Sequence, residues 1–433
     1  MKRTQLTSPH TVTAPARGSV FEVFRVFAVL GLTSFGGPAA HLGYFKVAFV
    51  DQRKWLDSDA YARLVALCQF LPGPASSQVG FALGLQRAGL LGALAAFVGF
   101  TLPSAVLLVA FAYGVHFLDG PLAVGALAGL KIVAVAVVAH AVMTMAGSLA
   151  AGARRAGIAA AAAVVALLVG GGLGQIAAMV GGAIAGLLLC RSTHGFSDSV
   201  SGSASGNSGL VRLTRPQRLL SALALVVFVA LLVGLPAVSA AGGGAASGGW
   251  VSLFAVFFQA GALVFGGGHV VVPLLNSSVV EPGWVSQQDF LAGYGAAQSV
   301  PGPLFTFAGY LGAVANSGSD AVSGGGAVAG ALIALVAVFL PGFLLVLAIL
   351  PWWGQLSTVP VARALVTGTN AAVVGILGAA LYNPIFTSAI TSNLSLALAL
   401  ACFVMLGAWK LPPWSVVLVG ASGGAVFTLL GWL

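Results

Sequence analysis

Ser34-Phe35-Gly36-Gly37-Pro38, followed by Gln69-Phe70-Leu71-Pro72-Gly73-Pro74, returns later as Val264-Phe265-Gly266-Gly267-Gly268 and Gln298-Ser299-Val300-Pro301-Gly302-Pro303. The copies are offset by 230 positions at Phe35 and Phe265, and by 229 at Trp55 and Trp284 and at Pro72 and Pro301. Two halves therefore share one architecture. Proline lacks a backbone donor and glycine loosens the chain, so each motif ends one helix and starts another. Internal repeats with helix breaks are the construction of secondary transporters, which place the substrate site where the repeats meet.

Composition sets the solvent. Hydrophobic residues make up 59% and charged residues 6% of 433 positions, with a mean hydropathy of +1.04, against about 25% charged in a soluble domain. Apolar runs of roughly 17 to 25 residues recur, the length a spanning helix needs. The 60 glycines and 19 prolines are tolerable in a bilayer, where small residues let helices approach and breaks can face protein or a wet cavity. The expected fold is an all-α integral membrane protein with two inverted-topology repeats, broken or re-entrant at Gly-Gly-Pro and Pro-Gly-Pro and joined by one linker helix.

A net charge of +9 does not imply nucleic acid, because the cations are scattered singly without interleaved aromatics. Topology accounts for them. With 21–45 and 61–84 as helical hairpins that enter and leave on one side, the tail 1–20, Lys46 to Lys54, Arg63, Arg87, Arg154-Arg155, Arg191 to Arg218, Arg363 and Lys410 all face the cytoplasm. Spans at 88–115, 121–147, 156–172 and 175–190 complete a first repeat over 21–191. A Ser/Gly-rich cytoplasmic linker, 192–216, and a linker transmembrane helix, 217–240, lead to an inverted repeat over 250–433. Its spans at 325–350, 361–383, 392–408 and 413–433 leave the C-terminus outside. No Lys or Arg occurs between Leu219 and Leu350, while Glu281, Asp289 and Asp320 fall in outer connections. Full crossings in place of hairpins would instead put Lys46, Arg53 and Lys54 outside.

Cys68, Cys190 and Cys402 are far apart, with neither disulfide nor metal spacing, and no cofactor is expected. Nor does any His, Asp or Glu cluster suggest an enzyme. The breaks are the candidate site: helix N-termini exposed there aim partial positive charge and free N–H groups inward, which suits an anion.

Gly31-Leu32-Thr33-Ser34-Phe35-Gly36-Gly37-Pro38-Ala39-Ala40-His41-Leu42-Gly43, Arg53-Lys54-Trp55-Leu56, Cys68 to Pro74 and Phe100-Thr101-Leu102-Pro103-Ser104 resemble the chromate ion transporter family. Phe265-Gly266-Gly267-Gly268-His269, Gly283-Trp284-Val285 and Gln298 to Pro303 extend the resemblance to its long, two-domain form. The resemblance implies chromate efflux from the cytoplasm, driven by proton gradient or membrane potential and conferring resistance. Uptake or exchange of sulfate or another tetrahedral oxyanion is the alternative. A multi-pass protein of the bacterial plasma membrane follows, with the lipid bilayer as its surroundings and a homodimer as one possible assembly. One departure is Ala48, where the family often carries a glutamate; if a carboxylate there assists coupling in relatives, Asp51 would have to substitute for it, or the role is absent.

A tetrahedral dianion needs donors and modest positive potential. Lys131, near the middle of an apolar run, costs at least ~2.5 kcal/mol to insert and is expected to bind it, with Asn370 at the matching place. His41 and His269 follow the two Gly-Gly breaks and could donate. Gln69 and Gln298 precede the Pro-Gly-Pro breaks by one turn. Ser76, Ser77 and Gln78 follow the first of these and Thr306 the second, where hydroxyls cap or contact substrate. The break residues Gly36, Gly37, Pro72, Gly73, Pro74, Gly266, Gly267, Pro301, Gly302 and Pro303 complete the set. Arg25 and Glu22 share a helix face and either pair at the interface or form a vestibule that attracts the anion. His140 reads as an interior histidine.

Overall fold

A computed structural model of the chain describes residues 18–115, 120–190, 215–241, 249–315, 325–356 and 359–431, and these are organised entirely by helices. Most of the tail 1–20, the linker 192–216 up to residue 214, and Asp320 lie outside the described residues. The first half holds α1 (Val20–Thr33), α2 (Gly37–Phe45), α3 (Ser58–Phe70), α4 (Ala75–Val115), α5 (Pro121–Leu149), α6 (Ala153–Val169) and α7 (Gly171–Leu189). α8 (Arg215–Ala241) leads to α9 (Trp250–Leu263), α10 (Val271–Leu275), α11 (Gln287–Ala297), α12 (Phe307–Val314) and α13 (Gly325–Ile349). α14 (Trp353–Leu356), α15 (Pro360–Ala380), α16 (Thr387–Ala389), α17 (Asn393–Gly407) and α18 (Pro413–Leu429) complete the chain.

Six stretches among the described residues are long and apolar enough to cross a membrane. Leu168, Leu173 and Leu188 are 81%, 79% and 76% exposed, as side chains facing lipid must be. This is a multi-pass membrane protein.

Each half opens with interrupted helices. α1 is capped by the Ser19 hydroxyl, which accepts from the Glu22 N–H at 3.0 Å, and runs to Ser34, where the chain turns extended. After α2 the chain loosens into a π-helical stretch, Lys46–Gln52, and the second half repeats this at Asn276–Val280. The first interrupted region ends where it began. Arg87 bonds Glu22 at 3.2 Å, its guanidinium lies 5.1 Å from the Trp55 ring centroid, and its carbonyl accepts from the Gly18 N–H. The start of α1, the approach to α3 and the end of the first arm of α4 therefore share one end of the molecule.

α4 folds back at Ala88 and Gly89, which leave helical geometry, so one apolar run of 40 residues is two antiparallel arms. The arms touch at Gly84 and Gly92, where a Cβ on Gly84 would lie 2.4 Å from the Gly92 carbonyl oxygen. Gly312 and Gly330 make the same contact between α12 and α13, at 2.3 Å. Glycine permits that approach because it carries no side chain.

The long helices exchange partners across the repeat. α5 packs on α17 and α18, while α15 packs on α6 and α7. Gly129 lies against Gly420, and Gly186 against Ala364 and Gly368. The end of α7 thus meets the start of α15, Ser221 near the start of α8 donates to the Ala348 carbonyl near the end of α13, and Trp250 at the start of α9 packs beside Gly330 near the start of α13. α9 therefore starts at the end opposite to α1. Stacked Phe81 and Phe343, 4.3 Å between centroids, join α4 to α13 at the centre.

Candidate functional site

Two crossed backbone hydrogen bonds build the centre. The Gly73 N–H donates to the Val264 carbonyl at 2.7 Å, and the Gly302 N–H donates to the Ser34 carbonyl at 2.9 Å. Gly73 and Gly302 are repeat equivalents, as are Ser34 and Val264, so the second break of each half is tied to the first break of the other. Gly73 and Gly302 have φ of 121° and 100°, where side chains are strained and glycine is not. A Cβ on Gly302 would also stand 2.8 Å from Ser104 Oγ, and one on Gly73 3.1 Å from Gly342 Cα.

Side chains after the breaks hold the turns. Gln78 Nε2 donates to the Pro72 carbonyl at 2.9 Å and reaches the Gly342 carbonyl at 3.3 Å. Thr306 Oγ1 donates to the Pro303 carbonyl at 2.7 Å. α2, by contrast, starts at Gly37 with no side-chain cap; Pro38 has no N–H, and the remaining first-turn N–H groups have no side-chain acceptor and suit an anion.

A cavity of about 450 Å³ reaches these breaks. Gly36, Gly37, His269, Gln298 and Gly302 line it, joined by His140 and Thr144 of α5, and Lys410 stands at the same cavity as an exposed side chain. Among the described residues that line it, the ionisable groups are one lysine and two histidines, with no carboxylate. His269 Nδ1 lies 2.7 Å from the Tyr294 hydroxyl. Gln298 Nε2 and His140 Nδ1 are buried without a partner. A second cavity, about 260 Å³, lies at the Gly170-Gly171 turn between α6 and α7 and includes Gln175, Asn276, Glu281 and Gln287; it stops short of the breaks.

Other expected site residues lie elsewhere. Pro72 and Pro74 flank the Gly73 tie, and Pro301 and Pro303 are buried beside Gly302. His41 is 0% exposed, packed edge-on to Phe100 with Nδ1 3.4 Å from Ser76 Oγ, so it braces the break from behind. Ser77 is buried. Asn370 is buried next to Gly266, its Oδ1 3.4 Å from where a Cβ there would stand. Gly266 and Gly267 face Leu149 and Met145.

The remaining expected residues lie away from the two cavities. Gln69 is exposed and lines neither cavity, because the cavity that reaches the breaks opens to one face alone. Lys131 is half-buried and also lines neither; it sits on α5 where Leu130 meets Gly295 of α11. The expected Arg25–Glu22 pair is absent: Glu22 pairs with Arg87, which the α1–α4 packing delivers over Trp55, and Arg25 is exposed. Thr306 bonds its own turn, leaving its hydroxyl proton committed. Missing from the expected set were Thr144, Lys410 and, as a wall of the site, His140. The signal available for Lys410 was its place opposite Gly170 in the repeat.

Residues 21–187 and 251–425 match the sequence profile of a family described as chromate transporter. The chain is 29% identical over 440 residues to the chromate transport protein of Pseudomonas aeruginosa, covering 99% of this chain and 95% of that protein. It is 26% identical to the probable chromate transport protein of Synechococcus elongatus, over 94% of this chain and 96% of the other. The chromate transport protein of Cupriavidus metallidurans is 28% identical, over 86% of each. No solved structure matches.

Proposed function

The chain belongs to the chromate transporter family, and we propose that it carries chromate out of the cytoplasm through the cavity beside the crossed helix breaks. The observation that supports this reading most is the pair of hydrogen bonds from Gly73 to Val264 and from Gly302 to Ser34. They gather the breaks of both halves around one point. A dianion there meets the Gln298 amide, the His140 and His269 rings and the uncapped start of α2, a donor-rich and carboxylate-free wall that holds an anion without trapping it.

The end carrying Arg87, Arg154, Arg363 and Lys410 is taken as cytoplasmic by the positive-inside rule. The protein then sits in the plasma membrane with its N-terminal side inside and its C-terminal side outside, and the cavity opens to the cytoplasm. A dianion leaving an interior at −100 mV gains roughly 4–5 kcal/mol, so membrane potential suffices as the drive and a proton gradient would add to it. Chromate resistance of the cell follows.

Everted membrane vesicles containing the protein should accumulate chromate when their lumen is positive, and sulfate should compete. Accumulation confined to right-side-out vesicles would replace efflux with oxyanion uptake or exchange.

A further inference from the structure

The two cavities share two of their walls across the repeat. Val137, His140 and Thr144 line the cavity at the breaks, and Ile376, Ala379 and Asn383, each 239 positions later, line the other. Leu406, Gly407 and Lys410 likewise stand 240 positions after Ala166, Leu167 and Gly170. Glu281 and its repeat counterpart Asp51 are both acidic, but Glu281 lines its cavity and Asp51 does not line the cavity at the breaks.

Lys410 occupies the left-handed turn position before α18, with φ 54°, and its counterpart before α7 is Gly170, with φ 67°. Glycine takes that conformation freely and a lysine takes it at a cost. The position is therefore better served by glycine unless the ammonium group is wanted. At the corresponding turn on the opposite face stands a carboxylate, Glu281, whose Oε2 is 3.0 Å from where a Cβ on Gly171 would lie. Glu281 is the sole ionisable side chain among the described residues lining that cavity. Equivalent mouths thus carry a cation on one face and an anion on the other.

We propose that Lys410 and Glu281 make the two faces of the transporter unequal in affinity, Lys410 drawing a dianionic oxyanion into the cytoplasmic mouth and Glu281 repelling it from the outer one, while the membrane potential sets the net direction. This rests on the oxyanion reading above and assigns its polarity to two residues. Both side chains are exposed at the cavity mouths, where their fields act on an approaching anion through water. A unit charge about 10 Å from a dianion in water changes its local concentration roughly fourfold.

The test uses sulfate, a dianion throughout the working pH range, with the full chain in everted and right-side-out vesicles, and reads KM from each face. At low ionic strength Lys410→Gln should raise KM from the cytoplasmic face roughly fourfold and leave the outer KM unchanged. Lys410→Arg should restore the wild-type value. Glu281→Gln should lower the outer KM by a similar factor and spare the inner one. High salt should shrink both effects, since mouth charges are screened within about 8 Å at physiological ionic strength. Equal changes on both faces, or none from either substitution while the wild type transports normally, would overturn the assignment. Wild-type vesicles that move neither sulfate nor chromate would overturn the oxyanion reading itself.

Discussion

Gln298 presents a buried, unpartnered amide nitrogen at the cavity wall, whereas its repeat partner Gln69 is exposed. Both glutamines were legible as polar groups at membrane depth; which one meets the cavity was not, because that depends on the face to which the cavity opens. Gln298→Ala should cut oxyanion flux about tenfold or more, in line with the loss of one or two hydrogen bonds to a charged group, with folding unchanged by size-exclusion chromatography. His41→Ala should instead lower thermal stability by about 3 kcal/mol through a cavity behind Phe100, with flux falling as stability does. Lys131, the strongest single candidate from sequence, lines neither cavity, so Lys131→Ala should reduce flux less than Gln298→Ala does. Partial burial raises the Glu281 carboxyl above its ordinary range. Protonation there removes the repelling charge, so sulfate KM from the outer face should fall as the outside is acidified, and Glu281→Gln should flatten that dependence.

The helix breaks were readable because proline and glycine act locally, through a missing donor and a permissive φ. How they would meet was not readable, since the ties are backbone hydrogen bonds that any residue can make. Gly302→Ala is expected to destabilise by about 2 kcal/mol or more, from strain at φ 100° and the contact with Ser104. Gly37→Ala, at φ 77° with open space around its Cβ position, should cost about 1 kcal/mol. Thermal unfolding in detergent measures both; equal losses would mean that the close packing of Gly302 on Ser104 adds nothing to the backbone strain. The partner exchange of α5 and α15 was equally hidden. In a bilayer both packed and lipid-facing surfaces are apolar, so hydrophobic pattern does not separate them, and only the glycine positions mark the contact afterwards.

For the molecule as a whole, the duplication was legible from the offset motifs, and the cation-free stretch after Leu219 is the sequence feature on which the proposed inversion of the second half rests. The asymmetry of state was not legible. The cavity at the Lys410 end reaches the breaks and the one at the Glu281 end does not, although α5 and α15 line them at matching positions. Exchange of conformations between the repeats would open the Glu281 side onto 71–74 and close the Lys410 side, which is how inverted repeats alternate access. A cysteine replacing Lys54, on a background freed of Cys68, Cys190 and Cys402, should be labelled by an impermeant maleimide only from the cytoplasm. The central claim is that the crossed breaks of the two halves form one oxyanion site. Cryo-electron microscopy of the protein with bound chromate tests it most directly: the account predicts a tetrahedral anion within hydrogen-bonding distance of Gln298 and the start of α2, beside Gly302. Anion density found only among surface arginines, with the space at Gly36, Gly37 and Gly302 empty under saturating chromate, would contradict it.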